Sequence, residues 1–170
     1  MTNETFAKPA VGAIIEKNIN GVCHILIQKR QKNSSEDGML EIPAGKIREF
    51  ENIFQALKRE VKEETGLTIT SIIGENYQAI KTGLYSTIHF SPFCITQNLS
   101  GGYSLILFTF ICSGEGKLYK KSDESSDIKW IPANKVKLLL DSYPEKFFPM
   151  HINALKKYFK RSNQFYENRS

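Results

Sequence analysis

Three glutamates carry the first chemical signal in this chain. Glu60, Glu63 and Glu64 lie within the run Arg59-Glu60-Val61-Lys62-Glu63-Glu64 at relative positions i, i+3 and i+4. At about 100° per helical residue they share one face and spread over roughly a quarter of the circumference. The apolar residues Phe50, Phe54, Leu57 and Val61 fall on the adjoining arc, Ile53 falls among the acids, and Lys58 and Lys62 point away. The acids therefore border the buried face. Glu60 and Glu64, like charges four apart, oppose helix formation by about 0.2–0.5 kcal/mol before any desolvation. Crowded carboxylates beside apolar surface call for a compensating cation, and oxygen-only ligands favour a hard divalent ion, Mg²⁺ or Mn²⁺. Arg59, four before Glu63, is placed to hydrogen-bond one carboxylate. Gly66 ends the helix at no steric cost.

The elements that must position this helix follow from the rest of the chain. Residues 9–17 and 22–30 read as two strands joined by Asn18-Ile19-Asn20-Gly21, and Asn-Gly is a strong hairpin signal. Residues 31–38 form a polar loop. Met39 to Gly45 then leads into a helix from about Glu51 to Thr65, with acidic Glu49 and Glu51 suited to the helix dipole. Pro43 and Gly45 shape a tight turn, the glycine permitting positive φ or close approach. Residues 67–73 read as a strand, 87–96 as a strand broken by Pro92, and 103–113 as a buried strand ended by Gly114. A short strand over 127–132 carries Trp130. Helices are expected over 133–141 and 144–159, the second amphipathic through Phe147, Phe148, Ile152, Leu155 and Phe159, with a frayed polar tail from Ser162. This is one α/β domain spanning 1–170, a mixed sheet between helices.

Composition narrows the class. A chain of 170 residues with 41% hydrophobic content fits one soluble domain with a real core. No apolar run approaches the ~20 residues of a membrane helix, and the N-terminus lacks a signal-peptide core. Cys23, Cys94 and Cys112 are odd in number and far apart, and read as buried small hydrophobes in a reducing, cytoplasmic compartment. The net charge of +5 gathers partly in Lys156, Lys157, Lys160 and Arg161, beside Tyr158 and Phe159. A solvated helix end explains this better than a nucleic-acid surface.

Gly45, Glu51, Arg59, Glu60, Val61, Glu63, Glu64, Gly66 and Leu67 fill every constrained position of a longer pattern. That pattern resembles the signature of the Nudix hydrolases: Gly, five residues, Glu, seven residues, then Arg-Glu-apolar-any-Glu-Glu-any-Gly-apolar. The resemblance implies the Nudix fold and Mg²⁺-dependent attack of water on a diphosphate linkage in a nucleoside diphosphate derivative, with Mn²⁺ as a substitute. It implies Glu60, Glu63 and Glu64 as metal ligands, with Glu64 nearest the attacking water, and Arg59 as an orienter. Gly45, Glu51 and Gly66 are the structural members. Glu124, six before Trp130, matches the further acid that family members bring from a loop as general base or extra ligand. Arg30 and Lys46 are the candidates for substrate phosphates, and a surface charge at a strand end is the competing explanation of Arg30.

The run Glu41-Ile42-Pro43-Ala44-Gly45-Lys46 resembles that of the ADP-ribose and nucleotide-sugar pyrophosphatases, whereas nucleoside-triphosphate hydrolases more often carry Trp and Pro-Gly-Gly. Only 44 residues precede Gly45, and Pro92 lies too far past Leu67 to be the ADP-ribose group's proline. The lean is to ADP-ribose or a nucleotide sugar; nucleoside triphosphates or dinucleoside polyphosphates come next. A non-catalytic nucleotide- or RNA-binding Nudix module is the alternative of another class. The expected partner is a small nucleotide, without membrane, and the protein a monomer or homodimer. Tyr77, Tyr85, Phe90 and Phe93 are aromatics available to stack a base.

Overall fold

The structure is a computed structural model, and it describes residues 4–167, with side chains through Arg161. β1 (Lys8–Ile19) and β2 (Val22–Arg30) form an antiparallel hairpin in register Ile19 opposite Val22. Asn20 and Gly21 take φ of +52° and +81°, the positive values a tight two-residue turn demands, and the Gly21 N–H donates to Asn18 Oδ1. β3 (Leu40–Glu41) pairs with β2, and β4 (Ala44–Lys46) pairs with β1. Helix α1 (Ile53–Thr65) follows, then β5 (Thr68–Ile72), β6 (Ile80–Thr82), β7 (Tyr85–Thr87), β8 (Cys94–Gln97), β9 (Leu105–Glu115) and β10 (Ser125–Pro132). Helices α2 (Ala133–Ser142) and α3 (Pro149–Glu167) close the order, separated by a 3₁₀ turn over Pro144–Lys146.

The large sheet runs β10-β2-β1-β9-β5, with β8 also on β9. Among the described strands only the β1–β9 pairing is parallel, so the sheet is mixed. Strand alternation decides its two faces. Val11, Ala13, Ile15 and Leu26 meet Ile53, Phe54, Leu57 and Val61 of α1 on one side. Ile14, Ile25 and Ile27 meet Val136 and Leu140 of α2 and Leu155 and Phe159 of α3 on the other. This is the α/β arrangement anticipated.

Several boundaries move, each for a local reason. α1 begins at Ile53, not Glu51, because the Asn52 side chain caps it by accepting the Phe54 N–H at 2.8 Å. No acid lies in its first turn, so Glu49 and Glu51 are not dipole partners. Phe50 is not on the buried arc: it precedes the cap at φ +58° and is fully exposed. β9 runs through Gly114 because β5 continues to pair there. β10 starts two residues earlier than expected and bulges at Asp127, whose φ is +50°. The segment 87–96 supplies only the end of β7 and, beyond Pro92, the start of β8; the β6–β7 hairpin was not anticipated.

Pro149 opens α3, so Phe147 and Phe148 lie outside the helix. Both are buried, and the Phe148 N–H donates to Leu40 O at 2.8 Å. The backbone of α3 continues through Glu167, past the expected tail start; residues 168–170 of that tail lie outside the described residues. Cys23 is exposed, against the expectation of three buried thiols; Cys112 is buried, and all three are free. Tyr158 and Phe159 are packed in the core beside α2, not interleaved with the exposed lysines. No helix among the described residues is long and apolar enough to cross a membrane.

Candidate active site

The acidic face of α1 meets β2, β3 and β4 at one end of the sheet. Alternation along β2 carries Gln28 onto the same side as Leu26, under the helix. Gln28 Nε2 donates to Glu64 Oε2 at 2.8 Å and to Glu41 Oε1 at 3.3 Å. Glu64 also accepts the Ala44 N–H at 3.0 Å and an N–H of Lys32 at 3.1 Å. Glu64 is 2% exposed, and burial pushes its carboxyl up to about 7. Burial likewise raises Glu60.

Arg59 ties the other acids together. Its Nε and Nη2 donate to the two oxygens of Glu51 at 2.7 and 2.9 Å, and Nη1 donates to Glu60 at 2.6 Å and Glu63 at 3.1 Å. The hydrogen bonds from Arg59 bring the Glu51 carboxyl down to about 2. Lys32 is paired with both Glu64 and Glu124; burial works against its charge, and the two carboxylates offset that and hold it above its ordinary value.

Beside these groups opens a cleft of about 360 Å³. Charged groups line it, Lys32, Lys46, Glu60 and Glu124 with buried Arg30 and Glu41, and so do Tyr103, Leu107 and Phe148. Acidic, cationic and aromatic groups thus share one cleft, with Arg30 lying over both the Tyr103 and Phe148 rings.

A NUDIX domain model matches residues 7–150, most of the chain. The chain belongs to the Nudix family. It is a pyrophosphohydrolase acting on nucleotide derivatives. A curated relative, the 8-oxo-dGTP diphosphatase of Buchnera aphidicola subsp. Schizaphis graminum (strain Sg), is 36% identical over 110 residues, 65% of this chain and 72% of the relative. Among solved structures, the NUDIX domain of Shewanella oneidensis NrtR, complexed with ADP ribose, superposes at TM-score 0.64 with 16% identity, covering 93% of this chain and 90% of that one. The MutT protein of Methanosarcina mazei Go1 does so at 0.57 with 20% identity, over 95% and 99%. At these identities the two structures show the fold.

The Nudix signature glycines now have separate physical reasons. Gly45 is not at positive φ; a Cβ there would lie 2.0 Å from the carboxyl carbon of Glu60. Gly66 has φ +83°, donates its N–H to Lys62 O, and a Cβ would meet Lys117 O at 2.6 Å.

Glu60, Glu63 and Glu64 sit along one edge of the Nudix helix, but among the described residues no three acidic, His or Cys side chains converge as a ready-made ion cage. Arg59 and Lys32 hold them instead. Their chemistry, oxygen donors only, fits a hard divalent ion once these cations yield. Arg30 is no surface charge: it is 8% exposed, donates to Glu41 at 3.1 Å and lies over the Phe148 ring at 4.2 Å. Its Nε is buried without a partner.

Sequence reasoning does not name Gln28, Lys32, Glu41, Tyr103, Phe148 or His151 as site residues; it places Glu41 in the entry to the signature and Phe148 on a helix face. The alternating polar residues Gln28 and Arg30 at the end of an apolar strand were the available signal. The four aromatics named for stacking lie elsewhere: Tyr77 stacks on Phe54, Phe90 packs against the α1-side core, Phe93 against the opposite one, and Tyr85 is exposed.

His151 supplies a pH prediction. Its Nδ1 accepts the Ile42 N–H at 3.3 Å, and burial, with Arg30 and Lys32 nearby, pulls it down to about 3. Between pH 6.5 and 3 the unfolded chain therefore binds a proton there that the folded protein does not. That contribution to stability is complete above pH 6.5 and is lost as pH falls. Asparagine offers Oδ1 to the same N–H without titrating. Urea unfolding of His151→Asn from pH 4 to 7 should show the slope of stability against pH lowered by up to about 1.4 kcal/mol per unit. Glu64, raised by burial, contributes the opposite slope to both proteins and leaves their difference alone. Parallel curves would refute the assignment.

Proposed function

We propose that this Nudix hydrolase cleaves purine nucleoside triphosphates, an oxidised guanine nucleotide among them, to the monophosphate and diphosphate with Mg²⁺ or Mn²⁺ bound. The observation that carries this is the mixed lining of one cleft: cations and carboxylates together with Tyr103 and Phe148. A polyphosphate suits the charged groups, and a base and sugar suit the aromatic ones. The name of the Buchnera relative supports a triphosphate.

In this reading Glu60, Glu63 and Glu64 hold the ion, which when bound neutralises phosphate oxygens and lowers the pKa of water. Lys46 and Arg30, both lining the cleft, draw the phosphates in. Water oxygen bonds to phosphorus, the bridging oxygen leaves with its electron pair on diphosphate, and Glu124 takes the proton of the water. Gln28 and the Ala44 N–H fix the Glu64 carboxylate, while Arg59 fixes Glu60 and Glu63.

The run Glu41–Lys46 favours a second substrate, ADP-ribose or a nucleotide sugar, and the NrtR neighbour binds ADP ribose. One panel separates them: purified protein with Mg²⁺ or Mn²⁺ against dGTP, 8-oxo-dGTP, ATP, dinucleoside polyphosphates and ADP-ribose, with products resolved by anion exchange. Preferential release of diphosphate from a purine triphosphate is expected. Preference for ADP-ribose would install the second reading. Silence throughout from folded protein would overturn both and favour a binding module.

A further inference from the structure

Lys32 is the one cation in direct contact with Glu64 among the described residues. Its ammonium donates to Glu64 Oε1 at 3.1 Å and to the Ala44 carbonyl at 3.4 Å, and it pairs with Glu124. These oxygens come from three separate pieces of chain: α1, the start of β4 and the loop before β10. A shell of carboxylate and carbonyl oxygens drawn together from distant segments is what a bound cation organises. The Lys32 side chain is four-fifths buried, with 19% exposure, so the pairing is not a screened surface contact.

The backbone beneath this ammonium is fixed separately. The N–H groups of Lys32 and Asn33 donate to the two Asp37 oxygens at 2.8 and 3.1 Å. The Gln31 N–H donates to Glu124 O at 2.8 Å, and the Gly38 N–H to Arg30 O at 2.8 Å. The loop backbone therefore does not depend on the ammonium, which sits at the end of a four-carbon stem with rotatable bonds.

We propose that Lys32 is a built-in counter-cation. It holds Glu64 and Glu124 together when no ion is bound, and it competes with the divalent ion for Glu64. Ion binding then releases the ammonium into the cleft it already lines, where polyphosphate oxygens would receive it. The inference rests on the reading of Glu60, Glu63 and Glu64 as ion ligands.

Mn²⁺ binding to the full chain without nucleotide tests it, read by titration calorimetry and by the EPR signal of free Mn²⁺. The Lys32→Met variant should bind Mn²⁺ about tenfold more tightly than the parent, since one charged hydrogen-bonded pair no longer opposes the ion. Lys32→Gln should move in the same direction and serves if the methionine variant misfolds. Lys46→Met removes an equal charge from the same cleft without touching Glu64, and at about 0.15 M salt its effect should stay within about twofold. Unchanged or weaker binding by both Lys32 variants would overturn the proposal and leave the ion ligands standing. Equal tightening by Lys46→Met would also overturn it, reducing the effect to net charge. A parent that binds no Mn²⁺ would remove the ion-site reading and this proposal together.

Discussion

Glu64→Gln is expected to lower kcat/KM by about three orders of magnitude while the protein stays folded. Glu64 is the carboxylate of the signature buried most deeply, and three donors fix both its oxygens: Gln28, the Ala44 N–H and Lys32. A preorganised charge in a dry site counts for more than one in water, and its loss is correspondingly large. Glutamine keeps the shape and presents one oxygen to Gln28 and Ala44. Its amide meets the Lys32 ammonium, which retains Glu124 as partner. Stability should therefore change by no more than about 2 kcal/mol. Glu63 is half exposed and shared between Arg48 and Arg59. Glu63→Gln should cost at least about tenfold less than Glu64→Gln, since its charge is screened by solvent. Steady-state kinetics beside thermal unfolding of the same preparations decide the matter. Near-normal turnover by folded Glu64→Gln would move the reacting centre elsewhere.

Gly45→Ala should separate activity from stability more sharply still. The backbone at Gly45 suits any residue; the obstacle is the Glu60 carboxyl, whose atoms lie 2.0–2.3 Å from the place of a Cβ. Glu60 is the end of a flexible side chain, so it can rotate away, losing its bond to Arg59 at a cost of about 1 kcal/mol. A misplaced ligand is far more damaging to catalysis, by about 10²-fold for a displacement near 1 Å. Because the effect passes through Glu60, it should nearly vanish in a Glu60→Ala background, where Gly45→Ala costs less than about threefold. Additive losses in the double variant would show that the glycine serves the turn itself. Urea unfolding and kinetics on the four proteins complete the cycle.

Much of this was legible because it is local. Glu60, Glu63 and Glu64 on one helix edge follow from spacing, and the pairing of Arg59 with Glu63 follows from helical geometry. The same Arg59 reaching back eight residues to Glu51 does not, since Glu51 lies outside the helix. The helix start was misread because Glu49 and Glu51 compete with Asn52 as N-terminal signals, and only the Asn52 oxygen reaches a helical N–H. Gln28, Lys32 and Glu41 became visible only when β2, β3 and the following loop were folded over α1. The wall of Tyr103 and Phe148 joins residues from either side of β9 and β10, so no window of sequence contains it. Phe148 also illustrates how an amphipathic pattern misleads: its periodicity matches α3, yet Pro149 starts the helix after it.

The parallel pairing of β1 with β9 has a consequence for how the molecule comes into being. Lys8 lies opposite Leu105, roughly a hundred positions away, and the ladder extends to Glu16 opposite Ser113. A ribosome therefore releases the first hairpin and the whole of α1 long before the central partner strand exists. Until β9 emerges, β1 is an unfinished edge, and closing so long a loop makes folding slow. Between the release of α1 and that of β9, the three glutamates ride on a helix whose floor is the β1–β2 hairpin alone. The cleft is completed later still, since Glu124 and Phe148 both follow β9 in the chain.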